Sequence, residues 1–191
     1  MAEGIEAPEG GNKTLNRMVA VTVVALAVFL GLCNIKAENL VQTMEVTKAD
    51  AVDTWNEYQA TKIKLHVDED ALIIVDAIGL PAAKAQAEDH LAKRAAFVAD
   101  IEKYNKSAPA LQAKARAFDA KHEELNIHDD QFDACEALIG IAISIAAVAA
   151  VAESIWVLLA AWVFGVFGVL MGVAAFIGWP LHPDFLAALL S

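Results

Sequence analysis

Basic residues are scarce in this chain. Fourteen lysines and arginines stand against 25 aspartates and glutamates, which gives a formal net charge of −11. Because nucleic-acid binding needs clustered Lys and Arg against phosphates, this balance argues against nucleic acid as a partner. Catalytic signatures are missing as well, since no His-Glu-x-x-His, phosphate-binding loop or Gly-x-Ser-x-Gly occurs. The sequence therefore predicts a protein with no catalytic residues and no cofactor, which is not an enzyme.

Cysteine is also rare, with only Cys33 and Cys135 in the chain. Cys33 lies near the end of the first apolar run and Cys135 near the start of the second, so both approach the same predicted membrane face. A disulfide between them is conceivable if that face is oxidising. The interpretation that we favour makes them two small apolar residues at helix interfaces. Histidines and acids cluster at 66–70, 88–90 and 122–130, but solvated helix faces explain these clusters better than a metal site. No metal ligands are therefore predicted.

Long apolar runs are the dominant feature of the sequence. One run covers 18–36, and two more, 136–152 and 155–179, follow each other near the end. Because a bilayer core about 30 Å thick needs roughly 20 helical residues, each run is predicted to cross a membrane once. Glu153 lies between the last two runs, and since a charge is costly in lipid it is predicted to mark the tip of a helical hairpin. The lipid bilayer is thus the first predicted partner.

Small residues recur on the last two runs at alternating spacings of three and four. In lipid, close approach over small residues drives helix association. One interpretation packs these residues within the chain, and the other uses a stripe of them to recruit further subunits. The predicted helix-packing and assembly residues are Gly140, Ser144, Ala147, Ala161, Gly165, Gly168, Gly172 and Ala175.

A polar region, 37–135, separates the first run from the hairpin and is predicted to form an antiparallel helical stalk. Gly79-Leu-Pro81 favours a turn, and Ser107-Ala-Pro109 favours a helix break, which together divide the stalk into three helices. The acidic segment 1–17 is predicted to be a flexible tail, and 180–191 an interfacial tail. The fold class predicted is therefore an all-α membrane protein with three transmembrane helices and this stalk between the first two.

Two blocks of residues resemble a bacterial membrane-protein family catalogued as domain of unknown function 4337. The first block, 53–64, looks like an Asp-x-Trp-x-x-Tyr-Gln-Ala-Lys-x-Ile-Lys signature. The second block leads into an Ile/Ala-rich span and comprises Tyr104 with Lys106, Ala115-Arg116, and 128–138. The whole resemblance covers roughly 15–178. It implies the architecture and a bacterial inner membrane, and no activity. The matching signature residues are Asp53, Trp55, Tyr58, Gln59, Lys62 and Lys64.

The signature aromatics allow two interpretations. Trp55 and Tyr58 can form an aromatic layer that joins two stalk helices, with Gln59 satisfying a polar neighbour. Alternatively the three residues line a binding site. The layer is the simpler expectation.

The orientation prediction depends on Lys13 and Arg17. Basic residues before a first span favour an N-terminus inside the cell, which places the stalk in the periplasm. The family usually carries basic residues in the hairpin loop, which would agree, but this chain has only Glu153 there.

The function predicted is structural. Absent catalytic motifs, small-residue stripes and a protruding stalk together indicate an accessory or scaffolding subunit of a bacterial membrane. It would form a homo-oligomer or join a larger membrane complex, such as a respiratory or photosynthetic one. The alternative is an oligomeric channel, although the spans offer only Thr22, Asn34 and Ser144 as polar groups.

Overall fold

A computed structural model describes residues 12–79, 83–179 and 181. They form three α-helices: α1 over Lys13–Ile78, α2 over Lys84–Val151 and α3 over Ile155–Ile177. No strand occurs among these residues. The all-helical prediction is therefore confirmed, and each of the three helices contains a stretch long and apolar enough to cross a membrane.

Helix α1 begins at Lys13, within the segment 1–17 that was predicted to be a flexible tail. The Asn12 side chain accepts a hydrogen bond from the backbone N–H of Leu15 at 3.2 Å, which satisfies one of the free donors at a helix start. Leu15 itself is buried, with 1% of its surface exposed. The tail prediction is thus wrong for 13–17, while residues 1–11 lie outside the described part of the chain.

The first apolar run continues into the stalk without a break, as the sequence indicated. Buried residues recur along α1 with the spacing of a heptad. Three threonines are buried at intervals of seven residues: Thr47, Thr54 and Thr61. Ala51 is buried four residues after Thr47, and Leu65 is buried four residues after Thr61. This alternation of four and three residues is the repeat of a left-handed coiled coil. Thr54 meets the cost of its buried hydroxyl by donating to the Asp50 carbonyl at 2.7 Å.

The predicted break at 107–109 is wrong, because α2 continues through Pro109. Proline normally costs about 3 kcal/mol inside a helix, since it removes one backbone donor and crowds the preceding turn. Here Pro109 is exposed while Ala108 beside it is buried. Ala108 and Ala115, which precede and follow the proline, are both buried, so α2 packs on either side of it and the stalk unit has two helices and not three.

The hairpin between α2 and α3 is tight and turns at the predicted place. Only residues 152–154 separate the helices, and Glu153 adopts a left-handed backbone conformation with φ of 49°. At the far end of α3, Gly178 has φ of 70°, and the N–H of Trp179 donates to the Ala174 carbonyl at 2.9 Å. This is a glycine cap that satisfies carbonyls left free by the helix end. Two predicted features lie largely outside the described residues. One is the turn at Gly79-Leu-Pro81, of which Leu80 and Pro81 are not described. The other is the tail 180–191, of which only Leu181 is described.

The chain divides into two compact units. The bundle unit comprises Met1–Thr43 with Glu124–Ser191, and the stalk unit comprises Met44–Glu123. In the bundle unit the helices enclose two apolar clusters, one around Ile139 and Cys135 and one around Leu15 and Leu158. Two of the small residues that the sequence singled out, Ala161 and Ala175, belong to these clusters.

Candidate functional site

The small residues of α3 face inward in the bundle unit. Gly168 lies so close to α2 that an added Cβ would be 2.7 Å from Ile139 Cγ1 and 3.2 Å from the Ile139 backbone nitrogen. At Gly172 the same atom would be 2.8 Å from Phe29 Cε1 and 2.9 Å from Cys135 Sγ. The α3 stripe therefore packs within the chain. Its buried members are Ala161, Gly165, Gly168, Gly172 and Ala175.

The small residues that the sequence singled out on α2 lie on its outer side. Ser144 and Ala147 are exposed, and a Cβ added at Gly140 would meet nothing within 4 Å. The Ser144 hydroxyl donates to the Gly140 carbonyl of its own helix at 2.8 Å. The inner side of α2 is formed by a different set, Ile139, Ala142, Ala146 and Ala149.

The two cysteines meet in the bundle unit. Cys33 Sγ and Cys135 Sγ are 3.6 Å apart, and both residues are buried as free thiols. This geometry is compatible with both interpretations of the cysteines. The thiols fill a helix interface, and they lie close enough for oxidation to form a disulfide.

We expect mild oxidation to form a disulfide between Cys33 and Cys135 within one chain. The sulfurs need to approach by little more than 1.5 Å to reach the bonded distance of about 2.05 Å. Copper-phenanthroline treatment should therefore remove both maleimide-reactive thiols of the denatured protein. The matched control moves one cysteine to an exposed position of α1 (Cys33→Ala with Ala27→Cys), where no bond should form. Equal loss of thiols in both proteins would contradict this packing of α1 against α2.

Gln131 fixes the end of α3 to α2. Its side chain is fully buried, and Nε2 donates to the carbonyl of Trp179 at 2.7 Å and to that of Leu181 at 2.6 Å. The remaining acceptor, Oε1, lies 3.0 Å from His128 Nδ1. The sequence reasoning noted Gln131 only as part of the second family block and assigned it no role. A lone Gln before an apolar span was the only signal available.

Two carboxyl groups near Gln131 are partly buried. Burial raises the pKa of Asp129, and the neighbouring carboxylates of Asp133 and Asp130 raise it further. Burial also raises the pKa of Asp133, and so does the charge of Asp130. Both groups therefore keep their protons to higher pH than an exposed aspartate would.

The signature aromatics contact each other on α1, and one of them also reaches α2. Trp55 Nε1 donates to Asp119 Oδ2 at 2.8 Å, and the Trp55 and Tyr58 rings meet edge to face with centroids 5.7 Å apart. The connection between the two helices at this point is therefore the Trp55 hydrogen bond, while the ring contact lies within α1. The other signature residues are spread around α1: Asp53, Gln59 and Lys64 are exposed, and Lys62 is half-buried.

The histidines that the structure describes are dispersed, and the Nδ1 atoms of His90 and His122 are buried without a hydrogen-bond partner. His66 Nδ1 lies 3.1 Å from Glu69 Oε2, and His90 Nε2 donates to the Val75 carbonyl at 2.9 Å. Within the described residues, no group of three His, Cys, Asp or Glu side chains is arranged to hold a metal ion.

An ion pair joins α1 and α2 near the end of the stalk unit. Arg94 Nε donates to Asp76 Oδ1 at 2.7 Å, and this hydrogen bond is the main reason that the pKa of Asp76 lies below its usual 3.8. Because the pKa of Asp76 is lower in the folded state, the ion pair stabilises the fold above about pH 4. That stabilisation is lost as the pH falls through the lowered pKa of Asp76.

We therefore expect the helix ends to separate more readily at pH 2, well below the usual carboxyl pKa, than at pH 6. Spin labels at positions 73 and 91 should give a broader distance distribution at the lower pH. Asp76→Asn should show the broad distribution at both values. Asp89→Asn is the control, because Asp89 pairs with Lys93 on its own helix and not across the stalk. An Asp76→Asn protein that narrows at pH 6 like the parent would contradict the assignment.

The described residues define the class of protein: it is all-α, with three helices long and apolar enough to span a membrane, two of which also form the stalk unit. The chain belongs to the family described as Domain of unknown function (DUF4337), whose model matches residues 15–178. The family resemblance inferred from the signature residues is thus confirmed. No curated protein matches the chain, and no solved structure does.

Proposed function

We propose that this protein is a non-catalytic accessory or scaffolding subunit of a bacterial inner membrane. It assembles with itself or with a larger membrane complex, such as a respiratory or photosynthetic one, and its stalk lies in the periplasm. The proposal depends chiefly on one surface of the stalk unit, with the outward stripe of α2 as secondary support.

That surface is an exposed apolar face of α1. Ile63, Val67, Ile74 and Ile78 follow each other at spacings of four, seven and four residues, and each exposes 59% or more of its surface. Because a helix turns 100° per residue, these four positions lie opposite the buried Thr61 and Leu65 that face α2. Isolated apolar residues on a surface are ordinary, but a stripe with heptad spacing is typical of a helix that packs against a second partner.

The bundle unit supplies the secondary support. Gly140, Ser144 and Ala147 form an outward stripe on α2 over which another apolar helix could approach closely. The channel alternative would have to use this same stripe. Gly168 and Gly172 would be the natural candidates to line a pore, but side chains of the same chain bury them.

The test is the mass of the protein in mild detergent. Extracted from its native membrane, it should run as a defined assembly larger than one 20.4 kDa chain. Val67→Glu should shift that assembly toward single chains, because it places a charge in the proposed interface. Val98→Glu is the matched control, since Val98 is 41% exposed but lies on α2 and not on this face of α1. A clean monomer of the parent protein, with nothing co-purifying, would refute the proposal.

A further inference from the structure

A basic cleft lies between α1 and α2 within the stalk unit. It has a volume of about 480 Å³, and Lys64, Lys103 and Lys114 line it together with a single carboxylate, Glu57. Three lysines against one glutamate leave a formal charge of +2, in a chain whose net charge is −11. The cleft therefore concentrates positive charge in a protein that has little of it.

Within the described part of the chain, no ion pair is found for Lys64, Lys103 or Lys114. Lys93, Arg94 and Lys106, by contrast, each lie within 4.0 Å of a carboxylate. Lys103 Nζ and Lys114 Nζ instead lie 5.5 Å and 5.7 Å from the ring centroids of Tyr104 and Phe118. Contact with an aromatic ring leaves an ammonium group able to bind an anion, since the ring contributes no formal negative charge.

The rest of the lining suits an organic molecule better than a bare ion. Tyr104 and Leu111 are half-buried and provide an aromatic and an aliphatic surface, and Thr61 and Ser107 add hydroxyl groups. The volume lies in the range of about 300–1,000 Å³ that is typical of small-molecule sites.

We propose that this cleft binds an organic phosphate. Lys64, Lys103 and Lys114 would hold the phosphate, because lysine acts as a point charge toward phosphate oxygens. Tyr104 and Leu111 would contact the organic part. A soluble phosphate ester such as a nucleotide and the head group of a phospholipid share this chemistry. The proposal does not depend on the assembly function, since the cleft and the apolar face of α1 use different residues.

The experiment measures binding to the full-length protein in a neutral detergent. The probes are ATP as a free organic phosphate, glycerophosphoglycerol as a lipid head group, and inorganic phosphate. Either organic probe binding more tightly than inorganic phosphate supports the proposal, and the tighter of the two identifies the source. Equal binding of all three probes, or no binding at millimolar concentration, would overturn it.

Charge variants then locate the site. Lys64→Gln, Lys103→Gln and Lys114→Gln together should weaken binding of the tighter probe by about tenfold or more, as three screened ion pairs imply. All three side chains are exposed, so the helices should form normally, which circular dichroism verifies. The control combines Lys48→Gln, Lys84→Gln and Lys93→Gln, which removes the same charge outside the cleft and should change binding less than twofold. Equal weakening in both triple variants would contradict the site.

A single substitution tests whether positive charge in the cleft holds the negatively charged probe. Glu57→Gln removes the only carboxylate of the lining and should strengthen binding by about threefold, an effect typical of one exposed charge. Unchanged or weaker binding in this variant would argue that charge in the cleft does not hold the probe.

Discussion

Gly168→Leu should separate α3 from α2 and give the largest loss of stability of any single substitution in the bundle unit. Even the first atom of the new side chain would lie 2.7 Å from Ile139 Cγ1, and the Ile139 backbone nitrogen is only 3.2 Å away. A flexible side chain can move aside, but a helix backbone moves only as a whole. Overpacking of this kind typically costs about 1–3 kcal/mol, and leucine adds three further carbons to the clash. The denaturation midpoint in detergent, followed by tryptophan fluorescence, should fall accordingly.

The control for this experiment is Gly31→Leu. Gly31 lies on α1, and a Cβ added there would meet nothing within 4 Å. The same added side chain should therefore leave the midpoint close to that of the parent protein. If the two variants unfold at the same denaturant concentration, the close approach of α3 to α2 is not what stabilises the bundle.

Gln131→Leu should release the residues that follow α3. Leucine has a similar volume but cannot donate to the carbonyls of Trp179 and Leu181, which Gln131 holds at 2.7 Å and 2.6 Å. The Trp179 carbonyl would keep the backbone N–H of Leu181 as a donor at 2.8 Å, but the Leu181 carbonyl would lose its Gln131 partner. Loss of such a hydrogen bond costs about 0.5–1.5 kcal/mol. We expect a lower denaturation midpoint and faster chymotrypsin cleavage after Phe185, since the bond after Trp179 leads to Pro180 and resists the protease.

Two further variants separate the hydrogen bonds from the general effect of the substitution. Gln42→Leu makes the same change at an exposed position of α1 and should alter neither measurement. Gln131→Glu keeps the shape but replaces both donors with an acceptor, so it should behave like Gln131→Leu. A Gln131→Glu protein with parental stability and cleavage would contradict the role assigned to the donors.

The large-scale architecture was predictable because it follows from composition. Apolar runs must be helical in lipid, where no water satisfies the backbone, and a lone charge such as Glu153 is tolerated only at a turn. The stripe of small residues on α3 was also predictable. Its three glycines recur at helical spacing and allow another helix to approach closely. The signature from Asp53 to Lys64 was specific enough to indicate the family.

The remaining features depend on tertiary contacts that no local pattern contains. Proline normally breaks a helix, and only the packing around Ala108 explains why α2 continues through Pro109. On α2, alanines occur on every face, so spacing could not tell the outward Ala147 from the inward Ala146. The basic cleft was missed because its three lysines are up to 50 positions apart in the sequence and meet only when α1 and α2 pair.

The central claim is that the exposed apolar face of α1 in the stalk unit contacts another protein. A photo-crosslinking amino acid at position 67 or 74, activated in intact cells, tests it before any detergent is added. The claim predicts a cross-linked product of defined mass from both positions, and none from position 93 on an exposed polar part of α2. Absence of a product at 67 and 74, or the same products at all three positions, would contradict it.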